Sequence, residues 1–162
     1  ATCYLQVSRA TGQGTGFRIL LPEQSGSNGR GARNDARAKN NEAVLQAGAG
    51  LEVGKATERL LVRLGYRVQS VETGEQALAM LESGAFRPQV ILLDILLSDM
   101  DALTFIRRAK AIDPSLPVLP VTANAQVASE DERIEAGCGN KILRRPLRPH
   151  DIGTGIRRAL NT

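Results

Sequence analysis

The stretch Val90-Ile91-Leu92-Leu93-Asp94, VILLD in one-letter code, decides the fold of this 162-residue chain. Four consecutive apolar residues without polar alternation are typical of a β-strand in a parallel sheet that helices cover on both faces. The strand ends in Asp94, and a carboxylate is costly to place beside a buried strand unless it serves a purpose there. We therefore take Asp94 as the first candidate functional residue.

Apolar runs and amphipathic stretches alternate on both sides of this strand. A strand followed by a helix, repeated five times, predicts an α/β fold with a doubly wound, five-stranded parallel sheet, (βα)5. Functional groups gather at the carboxyl ends of the strands in such sheets. Those ends are predicted at Gly48-Ala49, Asp94, Thr122 and Arg144-Arg145. The predicted strands begin at residue 43 and cover 67–71, 90–94, 117–121 and 141–143, and the predicted helices cover 52–64, 74–83, 103–112, 127–136 and 152–160.

Two further segments precede this domain, which we predict to span residues 44–162. Residues 1–22 predict two short strands that form a β-hairpin, with the turn residues Gly12-Gln13-Gly14 between them. A two-stranded hairpin does not form a core of its own, so this piece is interpreted as a fragment of a larger domain. Residues 23–43 are rich in Gly, Ser, Asn and Arg without apolar periodicity, which predicts a flexible linker.

The formal net charge of +4, from 21 Lys and Arg against 17 Asp and Glu, does not indicate a nucleic-acid-binding face. Residues 1–43 hold six basic and three acidic residues, so residues 44–162 carry a net charge of only +1. No apolar run approaches the roughly 20 residues of a membrane-spanning helix, and the N-terminus lacks the apolar stretch of a signal peptide. We therefore expect a cytoplasmic segment that makes no membrane contact.

Five motifs, taken in their order and spacing, resemble the receiver domain of two-component response regulators over residues 44 to about 160. The resemblance implies a flavodoxin-like fold, in which an aspartate that ends the third strand of the domain accepts a phosphoryl group from a phosphohistidine. Asp94 matches that phosphoacceptor, and Thr122 matches the hydroxyl that senses the phosphoryl group. The motifs are VILLDI at 90–95, Met100-Asp101, PVLPVTA at 117–123, EAGC at 135–138 and RPL at 145–147.

The sequence departs from this family where the metal is held. The family's acidic pair after the first strand falls on Gly48 and Ala49, so the resemblance implies a degenerate pocket with at most a weakly bound Mg²⁺. We predict no metal site here; if Mg²⁺ binds, the resemblance implies Asp94 and the backbone of Leu96 as its ligands.

The family's lysine is replaced as well. Its position falls on Arg145 or, if the extra residue before Pro146 is aligned differently, on Arg144. An arginine there either clamps a phosphoryl group or pairs with Asp94 itself. Two hypotheses stay open: slow phosphorylation of Asp94, and a pseudo-receiver that serves as a docking module without phosphorylation.

A second resemblance concerns the N-terminal segment. The sequences LQVS at 5–8 and GQGTGFRILLP at 12–22 are similar to the last two strands of a histidine-kinase ATP-binding domain. An ATP-binding domain, a linker and a receiver in this order imply the C-terminal part of a hybrid sensor histidine kinase. The implied partners are a histidine-kinase dimerisation and phosphotransfer domain or a histidine phosphotransfer protein, and not nucleic acid. We do not expect the chain alone to be an enzyme, and its oligomeric state is left open.

An alternative interpretation starts from residues 49–55, AGLEVGK, which approach the pattern of a phosphate-binding loop between a strand and a helix. The strand at 90–94 would then carry an aspartate linked to Mg²⁺. Ala56 follows Lys55 where such loops have the Ser or Thr that binds the metal, which weighs against this degenerate nucleotide-binding domain.

Other titratable residues near the strand ends are predicted to have structural roles. Asp99 and Asp101 are interpreted as loop and helix-capping residues rather than metal ligands. Asp151 is the expected N-cap of the last helix, and His150 is interpreted as its surface neighbour rather than as a phosphoacceptor.

Overall fold

The computed structural model describes the backbone of residues 4–10, 14–20, 37–48, 50–123 and 128–161. Two strands pair in antiparallel fashion near the N-terminus, and the rest of the described chain alternates strands and helices. The elements are β1 (Tyr4–Ala10), β2 (Gly14–Leu20), β3 (Ala43–Ala47), α1 (Leu51–Arg63), β4 (Arg67–Val71), α2 (Gly74–Ser83), β5 (Val90–Asp94), α3 (Ala102–Ile112), β6 (Val118–Thr122), α4 (Ala128–Cys138), β7 (Leu143–Arg144) and α5 (Pro149–Leu160).

The predicted α/β fold is confirmed. Strands β3 to β7 form one parallel sheet in the order β4-β3-β5-β6-β7, so β5, which ends at Asp94, is the central strand. Every residue of β3 and β6 is buried, as the continuous apolar runs predict for strands between two helical layers. The sheet order changes direction at β3, and the carboxyl ends of the neighbouring strands β3 and β5 therefore border the crevice in which such folds place their sites.

Side chains alternate between the two faces of the sheet. Val44 of β3 faces a core that α1 and α5 cover, whereas Leu45 faces a core that α2, α3 and α4 cover. In β5, Val90 and Leu92 belong to the first of these cores. Because alternate residues of a strand share a face, Asp94 lies at the end of the sheet on the α1 and α5 side. That placement decides which helices contact its carboxylate.

The last strand and the last helix differ from their predicted bounds. Strand β7 comprises Leu143–Arg144 rather than residues 141–143. Helix α5 begins at Pro149 with Arg148 as the N-cap, three residues earlier than predicted. Proline is well tolerated at the first helical position, since the backbone N–H that it lacks has no partner inside the helix there. Asp151, the predicted N-cap, instead lies in the first turn, where its charge suits the positive end of the helix dipole.

The segment before β3 is attached to the domain, although a linker was predicted to continue through residue 43. Ala43 is the first residue of β3, and the side chain of Glu42 is only 6% exposed. The backbone N–H of Ala38 donates to the carbonyl of Leu64 at 2.9 Å, at the end of α1. Arg157 of α5 donates to Glu42 at 3.2 Å and thereby ties this segment to the last helix.

Strands β1 and β2 form the hairpin that the sequence predicts, with Tyr4 opposite Leu20. The predicted turn residues Gly12 and Gln13 and the predicted linker as far as residue 36 lie outside the described residues. Within the part of the chain that the structure describes, no helix has the length and apolar character needed to cross a membrane.

Candidate functional site

Asp94 ends the central strand, and its side chain is 15% exposed. The apolar residues before it fix the strand between two cores, so its carboxylate has little freedom in position. One carboxylate oxygen, Oδ1, accepts a hydrogen bond from the backbone N–H of Leu96 at 3.0 Å. The other oxygen, Oδ2, is directed to the neighbouring elements.

Arg145 provides the partner of that second oxygen. The backbone N–H of Arg145 donates to the carbonyl of Thr122 at 2.8 Å, which fixes the chain after β7 beside β6. Its guanidinium Nη2 then donates to Asp94 Oδ2 at 3.1 Å. The side chains of this ion pair are each 15% exposed. Of the two candidate arginines, it is therefore Arg145 that contacts Asp94, whereas Arg144 is exposed.

The guanidinium of Arg145 is shared between two acceptors. Its Nη1 donates to the hydroxyl of Thr57 on α1 at 3.2 Å. The contact to Asp94 is therefore made through one nitrogen and is not the two-nitrogen pair that arginine forms with an isolated carboxylate.

Thr57 belongs to no motif that marks it as a functional residue in the sequence. Helix α1 buries Gly54, Thr57 and Leu61, and its C-cap Leu64 continues the same helical face. A hydroxyl in the middle of this buried stripe was the available signal, because a buried hydroxyl needs hydrogen-bond partners.

Gly48 follows β3 directly and lies beside Asp94. Its φ of +89° is in the region that favours glycine. A Cβ on Gly48 would come 3.4 Å from the Cβ of Asp94 and 2.3 Å from Cδ2 of Leu97, so the Leu97 side chain fills the space into which a residue at this position would project. Ala49, the other degenerate position, lies outside the described residues.

The residues around Asp94 do not fit the Mg²⁺ that this fold implies. Magnesium in proteins prefers carboxylate oxygens, and neither Gly48 nor Ala49 offers one. Among the side chains that the structure describes, no group of three or more His, Cys, Asp or Glu residues is placed to hold a metal ion. The carboxylate of Asp94 already accepts a hydrogen bond from a permanent cation, Arg145.

Thr122 ends β6 and is fully buried. Asp94 is paired in register with Val121, the residue before Thr122. Thr122 itself is paired with Arg144 of β7. The structure therefore brings Thr122 to the same edge of the sheet as Asp94 and Arg145, with the backbone of Thr122 anchoring the arginine.

Asp99 and Asp101 bind helix ends, as their structural interpretation requires. Asp101 is the N-cap of α3 and accepts from the backbone N–H of Thr104 at 2.9 Å. Asp99 accepts from the N–H groups of Gly74 and Glu75, at 2.9 and 2.8 Å, at the start of α2. Desolvation raises the pKa of Asp99, but these two hydrogen bonds outweigh it and lower the pKa below its usual value.

The phosphate-loop interpretation is not supported by the backbone. Gly54 and Lys55 lie within α1 rather than in a loop before it. In a phosphate-binding loop the glycines must leave backbone N–H groups free to surround the phosphates. Here the N–H of Gly54 donates to the carbonyl of Gly50 inside the helix at 2.7 Å.

Comparison with known proteins identifies the family to which this fold belongs. The family model of the response regulator receiver domain matches residues 51–157. The chain is 30% identical over 102 residues to the response regulator receiver protein CpdR of Brucella abortus, covering 63% of this chain and 82% of CpdR. It is 28% identical over 103 residues to the transcriptional regulatory protein ZraR of Escherichia coli K12, covering 64% of this chain and 23% of ZraR. The chain thus spans about a quarter of the length of that regulator.

Solved structures show the same fold. The receiver domain of sensor histidine kinase PA1611 from Pseudomonas aeruginosa PAO1, which has a magnesium ion coordinated in its active-site cleft, superimposes with a TM-score of 0.66 at 25% identity, covering 75% of this chain and 99% of that one. A CheY-like receiver domain protein from Methanospirillum hungatei gives a TM-score of 0.66 at 21% identity, covering 74% and 94%. With a family model that matches about two thirds of its length, this chain belongs to the response regulator receiver domain family.

Proposed function

We propose that this receiver domain is a docking module whose active state does not depend on phosphorylation of Asp94. The observation that carries the proposal is the ion pair at 3.1 Å between Arg145 and Asp94, at the place where receivers of this family bind phosphoryl groups. In this function the domain presents one fixed surface to its partner. Arg145 supplies the positive charge beside Asp94 that a bound Mg²⁺ would otherwise supply.

The chemistry of phosphoryl transfer supports this proposal. A carboxylate that attacks a phosphoryl group must approach negative oxygens, and metal ions and cationic side chains offset that repulsion in the transition state. Both oxygens of Asp94 accept hydrogen bonds in the free domain, one from Leu96 and one from Arg145. An attack through Oδ2 must first break its hydrogen bond to Arg145, which adds about 1–3 kcal/mol to the barrier.

We further propose that the chain is the C-terminal part of a hybrid histidine kinase. The support is the order of the segments, with a hairpin that resembles the end of an ATP-binding domain ahead of a receiver. The similarity to the receiver domain of a sensor histidine kinase is consistent with this context. The partner is then a histidine-kinase dimerisation and phosphotransfer domain or a histidine phosphotransfer protein.

Direct contact with nucleic acid is not part of the proposal. The net charge of residues 44–162 is only +1, although the relative ZraR is named a transcriptional regulatory protein. Binding to nucleic acid would appear as an affinity that falls steeply with salt concentration, and we expect no such dependence for this chain.

The proposal is tested by treating the full chain with acetyl phosphate and Mg²⁺ and measuring its intact mass. We expect no phosphoryl adduct, while a receiver with both acidic residues intact, treated in the same way, gains one. An adduct on the wild-type chain that disappears in the Asp94→Asn variant would contradict the proposal.

That contradicting outcome would favour a second candidate, slow phosphorylation of Asp94. The position of Asp94 at the end of β5, on the same sheet edge as Thr122, is the observation in its favour. The two candidates also differ in docking. A docking module binds a purified histidine phosphotransfer protein with the same affinity before and after treatment with acetyl phosphate, whereas a phosphoacceptor changes its affinity when it is phosphorylated.

A further inference from the structure

Thr57 and Asp94 divide the guanidinium of Arg145 between them. Nη1 of the arginine donates to Thr57 Oγ1 at 3.2 Å, and Nη2 donates to Asp94 Oδ2 at 3.1 Å. The guanidinium is planar and rigid, so fixing one of its nitrogens determines where the other lies. A partner on Nη1 therefore restricts the position from which Nη2 can reach the carboxylate.

The hydroxyl of Thr57 is itself held in one orientation. Its own hydrogen is donated to the carbonyl of Val53, one helical turn earlier, at 3.1 Å. Threonine in a helix favours this contact with the carbonyl four residues before it, which fixes its side-chain rotamer. With the hydrogen committed to α1, the oxygen lone pairs are left to accept from Arg145.

Burial makes this contact costly to lose. Thr57 is 5% exposed and the side chain of Arg145 is 15% exposed. A buried donor that loses its acceptor forfeits the hydrogen bond without recovering full hydration. Without the hydroxyl, the rotamer of Arg145 that contacts Asp94 would lose one of its two hydrogen bonds. Another rotamer could then be lower in energy.

From this geometry we infer that Thr57 is the positioning residue that holds Arg145 on Asp94. This inference deepens the proposed function and rests on it, because both require Arg145 to occupy Asp94 in the free domain. It adds that helix α1 sets this contact. The helix holds the arginine through Thr57, and the hydrogen bond between Arg145 and Asp94 depends on that hold.

The test measures the rotation of the Arg145 guanidinium by NMR in the full chain labelled with ¹⁵N-arginine. An Arg145→Gln variant identifies the signals by their loss. In the wild type we expect separate, slowly exchanging signals for the two Nη groups. Thr57→Val has nearly the shape of the native residue and lacks the hydroxyl, and we expect it to speed the rotation about tenfold or more, the change that corresponds to one lost hydrogen bond to a charged group.

Thr57→Ser is the matched control, because it keeps the hydroxyl and loses the methyl group. We expect slow rotation to be retained in this variant. Equal rotation rates in wild type and Thr57→Val would overturn the inference, and so would rotation in Thr57→Ser as fast as in Thr57→Val. If Thr57→Val does not fold, Thr57→Ala, judged by the same rotation rate, decides the matter.

Two readouts separate this role from a merely structural one and from the proposed function. A lower unfolding midpoint of Thr57→Val with unchanged rotation of Arg145 would assign Thr57 to packing and overturn the inference. Asp94→Asn should also release the arginine, since it weakens the second half of the same contact. A phosphoryl adduct on the wild type together with faster rotation in Thr57→Val would contradict the proposed function and leave the positioning role supported.

Discussion

Two arginine–carboxylate ion pairs lie at opposite ends of the same parallel sheet. Arg145 contacts Asp94 at the carboxyl ends of the strands, and Arg157 contacts Glu42 just before β3, at the amino ends. The N–O distances are nearly equal, 3.1 and 3.2 Å. Distance alone therefore does not tell a structural pair from one at a functional site.

The surroundings of the two carboxylates tell them apart. Glu42 also accepts from the backbone N–H groups of Lys39 and Asn40, each at 3.2 Å, and Arg157 also donates to the carbonyl of Arg37. This pair ties four points of one chain segment to a helix. The pair of Asp94 instead adjoins Gly48 and a groove of about 480 Å³ between α1 and the loop after β7. The first pair organises the backbone, and the second lies where a ligand or partner can reach it.

The comparison predicts that removing Arg157 has the largest effect on stability. Arg157→Leu removes the cationic partner of Glu42, whose side chain is only 6% exposed. Loss of one partner of a buried pair costs about 3 kcal/mol or more in the free energy of unfolding. Urea unfolding of the full chain, followed by circular dichroism, measures this loss.

Arg158→Leu is the matched control, because it removes the same charge from the exposed neighbouring residue of α5. Because the side chain of Arg158 is exposed, we expect this control to cost less than Arg157→Leu. Equal losses in the two variants would mean that net charge, and not the contact with Glu42, sets the effect.

The fold could be predicted from the sequence because its signals repeat. The buried run at 90–94 and the alternation of strands and helices specify a parallel sheet covered on both faces, and Asp94 follows as the residue at the carboxyl end of one of its buried strands. The choice between Arg144 and Arg145 could not be made, since successive side chains of a strand point to opposite faces and a shift of one residue reverses them. The hydrogen bond from the Arg145 N–H to the Thr122 carbonyl fixes that register, and it joins residues 23 positions apart in the sequence.

The second prediction concerns the metal pocket, and its expected effect is smaller. Gly48→Asp restores one family carboxylate but places a side chain on a backbone with φ of +89° and against Leu97. We expect a loss of about 1–2 kcal/mol in the free energy of unfolding, the usual cost of a left-handed conformation for an L-residue. We also expect no rise in stability when Mg²⁺ is added, because Arg145 still occupies Asp94.

Gly48→Ala is the control, since it carries the same conformational cost without a carboxylate. A midpoint of unfolding that rises with Mg²⁺ in Gly48→Asp, and not in Gly48→Ala, would show that a single carboxylate suffices to rebuild the metal site. Arg145 would then not prevent Mg²⁺ from binding at Asp94.

The third prediction compares the two arginines directly. Arg145→Leu should cost only about 1 kcal/mol, less than Arg157→Leu, because the side chain of Asp94 is more exposed than that of Glu42. Arg144→Leu, the substitution of its exposed neighbour, serves as the control for charge. A loss as large as that of Arg157→Leu would make the Asp94 pair a structural element like the other.

The fourth prediction is the smallest effect and concerns acid. Burial raises the pKa of Glu42, but the N–H groups of Asn40 and Lys39 and the charge of Arg157 outweigh it and lower the pKa below its ordinary value. A carboxyl with a lowered folded-state pKa contributes stability that is complete above its unfolded value, about pH 4.3, and is lost as the pH falls through the folded value. Other carboxyls with lowered pKa values, Asp99, Asp101, Asp113 and Glu135, make the whole domain less stable in acid.

Comparison with Glu42→Gln isolates the contribution of this one residue. We expect the wild type to be more stable than Glu42→Gln at neutral pH, and the difference to shrink between about pH 5 and pH 3 as Glu42 takes up its proton. Urea midpoints of both proteins across this range measure the difference, and the remaining carboxyls cancel because both proteins contain them. A difference that stays constant with pH would mean that the hydrogen-bonding shape of residue 42, and not its charge, joins the segment before β3 to α5. The contact between Arg157 and Glu42 would then act as a hydrogen bond rather than as an ion pair, unlike the contact between Arg145 and Asp94.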